Sequence, residues 1–203
     1  MFLFDLDGVL IDSKKNMKFS WQDLIKKHKI KVPFNKYFSL IGAPFLKILE
    51  KLNIENSNYK IIEKDYKKNS NRYMNLIRIH KGVKKTINTL KQKKKYVGIL
   101  TSKEKSRTLK ILKKYNINVD VVLCPYKNLI GKPNPKQIND LSKKTKISKN
   151  QIVFIGDMKI DKITAKNAKI DYIQAKYGYS KKLKSKYSIN KINDIITNNL
   201  GVS

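Results

Sequence analysis

Short runs of continuous apolar sequence at 1–6, 96–100, 119–123, 152–155 and 172–175 constrain this chain more than any other feature. Runs of this length without polar alternation read as strands buried on both faces, the pattern of parallel sheets. Helical periodicity separates the later runs. It is carried by Val83, Ile87 and Leu90, by Leu109, Ile111, Leu112 and Tyr115, by Ile138 and Leu141, and then by residues 159–168. Strand and helix in alternation predict a doubly wound α/β core with a parallel sheet. Residues 13–80 break the alternation and read as helices over 14–29, 44–52 and 59–79, with loops around 32–42 and 53–58. This all-helical insert leaves after the first strand and returns before the second. It is expected to lie over the carboxyl ends of the strands, where such sheets bind ligands, and to act as a lid. The expected division is a core of 1–12 and 81–203 with an insert of 13–80. Beyond residue 178 the chain is basic and polar, with a short helix expected near 192–200.

A chain of 203 residues with 40% apolar content can bury one core and carry such an insert. Its 46 basic residues against 15 acids give a formal charge of +31. Only Arg72, Arg78 and Arg107 are arginine, and the lysines are spread along the whole chain. Bidentate nucleic-acid contacts favour arginine, so the excess reads as a solvated basic surface and no specific nucleic-acid partner is expected. The single Cys124 lies in an apolar run and is expected to be a buried structural thiol. No apolar run approaches the roughly 20 residues of a membrane helix, and no membrane partner is expected. Asp5 and Asp7 interrupt the first apolar run, which has no basic flank, so a cytoplasmic, reducing location is the expectation.

In so acid-poor a chain the placement of the acids is informative. Asp5, Asp7 and Asp12 crowd into and behind the first run, and Asp157 and Asp161 follow the fourth. Carboxylates at strand ends suit hard cations such as Mg²⁺ and can also act as nucleophiles. Thr101-Ser102 follows the second run, and Gly131-Lys132-Pro133 precedes the third helical pattern.

The ordered set Asp5-Leu-Asp7-Gly8-Val9, Thr101-Ser102, Lys132-Pro133 and Gly156-Asp157 with Asp161 resembles the haloacid dehalogenase superfamily. Within it, the chain looks like the phosphoglycolate phosphatase-like group, whose helical cap follows the first strand. The resemblance covers nearly the whole chain and implies a Rossmann-like core of strand order 5-4-1-2-3. It implies a Mg²⁺-dependent phosphatase acting on a small phosphorylated metabolite through an aspartyl-phosphate. In that scheme Asp5 is the nucleophile and Asp7 the general acid and base. Mg²⁺ is held by the Asp5 side chain, the Asp7 carbonyl and Asp157, with Asp161 as direct or water-mediated support. Thr101 offers a hydroxyl donor, and Lys132 a fixed charge to nucleophile and phosphate. The backbone around Asp7 and Gly8 would cradle phosphate together with Ser102. Gly42 falls in the stretch where relatives carry a substrate-specificity loop.

Asp7 argues against dehalogenase and ion-pump branches, which lack an Asp there. A sugar-phosphate mutase of the same family is the alternative, but its lid histidine is replaced by Met17. A non-enzymatic nucleic-acid-binding protein is the remote alternative. Trp21, Gly42, Lys47 and Arg72 are the insert residues expected to face substrate. Asp12 reads as a hinge or cap residue for the first lid helix, and His28 and His80 as surface or loop histidines. Lys169, where relatives often carry Gly, is expected to need a left-handed backbone.

Overall fold

The computed structural model describes residues 1–55, 59–126, 130–180 and 182–197. Six parallel strands form the main sheet: β1 (Phe2–Phe4), β4 (Val97–Leu100), β5 (Val121–Leu123), β6 (Val153–Gly156), β7 (Asp171–Ala175) and β8 (Tyr187–Ile189). Their order is β5-β4-β1-β6-β7-β8. The five expected strands thus lie in the expected order, and β8 adds a sixth at the edge. That strand was missed because its lysine-rich surroundings carry no apolar run; pairing with β7 alone makes it a strand.

Both faces of the sheet are covered, which is why β4 and β6 are buried at every residue. On one face α5 (Val83–Gln92) and α6 (Lys105–Tyr115) contribute Ile87, Leu90, Ile111 and Leu112 to a cluster with Phe4, Ile99 and Ile155. On the other, α7 (Lys136–Thr145) and α8 (Lys159–Ala168) set Ile138, Leu141, Ala165 and Ala168 against Leu3 and Phe154. These four helices coincide with the expected ones to within two residues at each end. Helix α8 ends with Lys169 at φ 57°, the expected left-handed residue. Such a conformation costs a side-chain-bearing residue roughly 1 kcal/mol.

The segment between β1 and α5 is helical with its own apolar cluster, built on α1 (Lys14–His28), α2 (Phe34–Phe38), α3 (Phe45–Lys51) and α4 (Tyr59–Arg72). Two expectations need correction here. The loop expected over 32–42 contains α2, which starts straight after Pro33, whose fixed φ suits a helix start. The helix expected over 59–79 stops at Arg72. A 3₁₀ turn at Met74–Leu76 follows, and then β3 (Arg78–Ile79) pairs antiparallel with β2 (Ile11–Asp12). The two crossings between sheet and helical segment are thereby zipped together, a long-range pairing that outweighs local helical pattern. The loop expected over 53–58 is described only to residue 55. Of the helix expected near 192–200 the described part is α9 (Asp194–Thr197).

Candidate active site

Strands β4, β1 and β6 are neighbours, so the residues that follow their carboxyl ends converge. Asp5 follows β1, Thr101 follows β4 and Asp157 follows β6. Asp5, Asp157 and Asp161 each place a carboxylate oxygen within 4.8 Å of the others, and all three are buried. The Lys132 ammonium sits between two of them, 2.8 Å from Asp5 Oδ1 and 2.7 Å from Asp161 Oδ1.

Asp161 is fully occupied. Its Oδ2 accepts from the backbone N–H groups of Asp157 (3.2 Å) and Met158 (2.9 Å), closing a capping box at the start of α8. Its other oxygen accepts from Lys132. Asp157 is different. Its Oδ2 accepts from Tyr179 N at 2.7 Å, while Oδ1 is buried with no hydrogen-bond partner among the described residues. A Cβ on Gly8 would lie 2.3 Å from Asp157 Oδ2, and one on Gly178 2.3 Å from Asp157 Cβ. Only glycine lets both loops close on this carboxylate, and Gly8 also takes a φ of +92°.

Three carboxylates share one ammonium, an imbalance in a place that water does not screen. Burial pushes Asp5 up to about 7, partly offset by Lys132 and reinforced by Asp161 and Asp7. Burial likewise raises Asp157 well above the usual carboxylate range, with Asp161 and Asp5 adding to it. Burial acts to lower Lys132, but Asp161 and Asp5 outweigh it and hold the ammonium above its ordinary value.

Asp7 faces the same space from the other side. Its Oδ2 is 3.1 Å from Lys103 Nζ, and its Oδ1 accepts from the Ser13 hydroxyl. Ser13 occupies the N-cap of α1 yet makes no side-chain cap bond, because its hydroxyl is spent on Asp7. Its backbone N–H donates to Tyr179 Oη at 2.8 Å, and Tyr179 Oη donates to Asp12 Oδ1 at 3.2 Å. Asp12 also accepts from Lys14 N at 2.9 Å, a hinge-and-cap position as expected. Lys103 is desolvated, which lowers its ammonium, while Asp7 pulls it back.

Ser13, Lys103 and Tyr179 were missed in the sequence. For Lys103 a signal existed: it lies two residues beyond Thr101, though amid so many lysines it carried no weight. Tyr179 had none, since a loop beyond the fifth expected strand brings it in.

The remaining expected residues are placed unevenly. Thr101 is buried, lines the cavity, and its Oγ1 accepts from Lys103 N at 3.1 Å. The Gly8 N–H donates to Ile11 O at 2.7 Å, so this group is already used inside the turn. The Ser102 hydroxyl donates to the Gly42 carbonyl, joining the strand end to the helical segment. Gly42 and Met17 line the cavity. Three of the four insert candidates do not face it. Trp21 is fully buried among the helices, stacked on Tyr37 at 4.2 Å with Nε1 donating to Val32 O. Lys47 is exposed and paired with Glu50, and Arg72 is exposed and paired with Asp23. Periodicity cannot say which side of a helix meets a site formed by another segment. Both histidines are also more enclosed than expected. His28 bonds Asp65 at 2.8 Å, and His80 packs edge-on against Tyr177. Cys124 is half-buried, its thiol raised by burial.

The site opens into a cavity of about 520 Å³ between strand ends and helical segment. Asp5, Asp7, Thr101 and Lys132 line it on one side, and Tyr37, Phe45, Ile48 and Tyr66 on the other. Among the described residues no helix is long and apolar enough to cross a membrane.

The chain is similar to several known proteins. The chain is 26% identical over 196 residues to a phosphoglycolate phosphatase of Haemophilus influenzae, covering 87% of this chain and 85% of that one. It is 26% identical over 171 residues to the pyrophosphatase PpaX of Halalkalibacterium halodurans, covering 82% and 78%. A hydrolase from Pseudomonas syringae superposes with a TM-score of 0.84 at 20% identity, over 97% of this chain and 96% of that one, a likeness of fold. The model of the haloacid dehalogenase-like hydrolases matches residues 2–175, which contain Asp5, Thr101 and Asp157 at the three strand ends and Lys132. With most of its length matched, this chain belongs to the haloacid dehalogenase-like hydrolases.

Proposed function

We propose that this hydrolase is a Mg²⁺-dependent phosphomonoesterase acting on a soluble metabolite, with residues 13–80 as its cap. The observation that carries the reading is the charge imbalance at the strand ends. Three buried carboxylates face one ammonium, and Asp157 keeps one oxygen without a partner among the described residues. An oxygen donor set short of positive charge suits a hard divalent cation, with Asp5 and Asp157 as side-chain ligands and the Asp7 carbonyl beside them. Bound there, Mg²⁺ would offset the repulsion between phosphate and carboxylates and polarise the phosphoryl oxygens.

The chain's own residues then divide the work. Lys132 holds Asp5 Oδ1 and keeps the nucleophile oriented and ionised against the cost of burial. Asp5 attacks phosphorus in line; the P–O bond to the alcohol breaks and an aspartyl-phosphate forms. The alkoxide takes a proton from Asp7, which Ser13 and Lys103 fix at both oxygens. Asp7 next takes a proton from the attacking water, and inorganic phosphate leaves with Asp5 restored. Thr101 keeps its O–H available as a donor while its oxygen accepts from Lys103 N. Met17 is buried and supplies no base, which weighs against the mutase alternative.

The test is phosphate release from a panel of esters, with and without Mg²⁺, by wild type and Asp5→Asn. Mg²⁺-dependent release that disappears in Asp5→Asn supports the reading. Undiminished release by Asp5→Asn refutes it.

A further inference from the structure

The wall opposite the acids is suited to something larger than a two-carbon ester. A cavity of about 520 Å³ falls in the roughly 300–1,000 Å³ range that holds drug-sized ligands. The helical segment lines it with Tyr37, Phe45, Leu46, Ile48 and Tyr66. The Tyr37 and Tyr66 hydroxyls bond each other at 2.7 Å, which satisfies both and leaves their rings as apolar wall. Of the lysines around the mouth, Lys60 and Lys105 line it as well, while two others are committed to carboxylates. Lys103 pairs with Asp7, and Lys67 lies 3.1 Å from Glu63 and 3.6 Å from Glu104. A small second anion reaching outward from the phosphate would have to compete with these carboxylates.

Arg107 differs from these lysines in keeping a buried donor without a partner among the described residues. It is 6% exposed and lines the cavity. Its Nη2 donates to Ser70 Oγ and its guanidinium lies 5.7 Å from the Tyr66 ring centroid. Its Nε has no hydrogen-bond partner among the described residues. A buried donor without a partner is costly, and a planar guanidinium both donates hydrogen bonds and stacks on flat rings.

We propose that this cavity takes a phosphate monoester whose alcohol carries a planar ring with a hydrogen-bond acceptor, a nucleoside 5′-monophosphate being the model ligand. The inference rests on the phosphomonoesterase reading for where the phosphate goes. The ring lies against the apolar wall of the helical segment, and Arg107 is the specificity-determining donor to its acceptor atom.

The experiment compares kcat/KM for adenosine and uridine 5′-monophosphates with that for 2-phosphoglycolate in wild type, Leu46→Trp and Arg107→Gln. Leu46 is partly buried on α3 and lines the cavity, so the larger side chain fills cavity space, with circular dichroism as the control for folding. Wild type is expected to favour a nucleotide by about tenfold or more. Leu46→Trp and Arg107→Gln should each cut that advantage by about tenfold while sparing 2-phosphoglycolate. Equal or better use of 2-phosphoglycolate by wild type, or parallel losses on both esters in Leu46→Trp, overturns the proposal. Failure of the catalytic reading is separable, because calorimetric binding to Asp5→Asn needs no turnover. Tighter binding of nucleotide than of 2-phosphoglycolate there supports the proposal even without hydrolysis, and the reverse order overturns it.

Discussion

The two walls of the cavity are built on opposite principles. The strand-end wall carries buried charge, with Asp5, Asp7, Asp161, Lys103 and Lys132 locked in ion pairs of 2.7–3.1 Å. The helical wall is largely aromatic and aliphatic, with the Tyr37 and Tyr66 hydroxyls paired to each other and Lys60, Glu63 and Lys67 as its charged members, while Arg107 meets it from α6. Charges must be held rigidly to be useful and cheap to bury, so they sit on strand ends whose positions the sheet dictates. An apolar wall needs only shape, which helices can vary without disturbing the chemistry. On the proposed reading, one wall performs the reaction and the other selects what enters.

The sharpest way to break this division is Asp5→Asn. Turnover should fall by about 10⁴-fold or more, as for removal of a nucleophile. The fold should persist, since Asn fills the same space and Lys132 keeps Asp161. Phosphate release at saturating Mg²⁺, with circular dichroism as control, checks this; substantial residual turnover would move the nucleophile elsewhere.

Lys132→Met should damage both stability and chemistry. It leaves Asp5 and Asp161 buried without their shared cation, a change worth about 3–5 kcal/mol. Urea unfolding gives the loss, and a variant as stable as wild type would mean the ammonium is not structural. Trp21→Ala should cost a similar 3–5 kcal/mol by opening a hole beside Tyr37. Here kcat of the folded fraction at low temperature should stay near wild type, because Trp21 does not itself line the cavity and stacks behind Tyr37, which does. A large fall in kcat would erase the boundary between helical packing and chemistry.

A subtler test uses pH without divalent cations. Asp5 is raised in the fold from 3.8 to about 7, and Asp157 is raised too. A raised carboxyl binds its proton more tightly folded than unfolded. Its stabilising contribution is full below about 3.8 and drains away as pH climbs towards about 7. Thermal midpoints in EDTA should therefore fall across that interval relative to Asp5→Asn, which mimics the protonated acid. Added Mg²⁺ should recover the loss, and a flat difference between the two proteins would contradict the charge imbalance. The smallest expected effects are at Lys47→Ala and Arg72→Ala. Both pairs are exposed and should contribute under about 1 kcal/mol, with substrate ranking unchanged.

How much was readable in advance follows the same division. Asp5, Asp7, Thr101 and Asp157 were legible because each sits at or beside the end of a short apolar run, and Lys132 because of its Gly131-Lys132-Pro133 setting. The doubly wound fold was legible because strand and helix periods alternate. Three of four chosen insert residues did not face the cavity, because Trp21, Lys47 and Arg72 were judged by chemical type. Helical periodicity alone could not show which face of α1, α3 or α4 meets another segment. Ser13 drew no notice in the sequence, and only the approach of Asp7 draws its hydroxyl away from the helix N-terminus. Strand β8 and the β2–β3 pair are too short and polar to stand out, and they exist by pairing with distant partners.

Local order along the chain thus determined the elements, the sheet and the acids at its edge, since a strand's burial and its terminal residue are written side by side. The tertiary structure alone decided that Asp157 would keep an unpaired oxygen, that Lys103 and Tyr179 would join the site, and that Arg107 would face an aromatic wall. Those features depend on segments tens of residues apart closing on one another, and on burial, which acts only once the closing is complete.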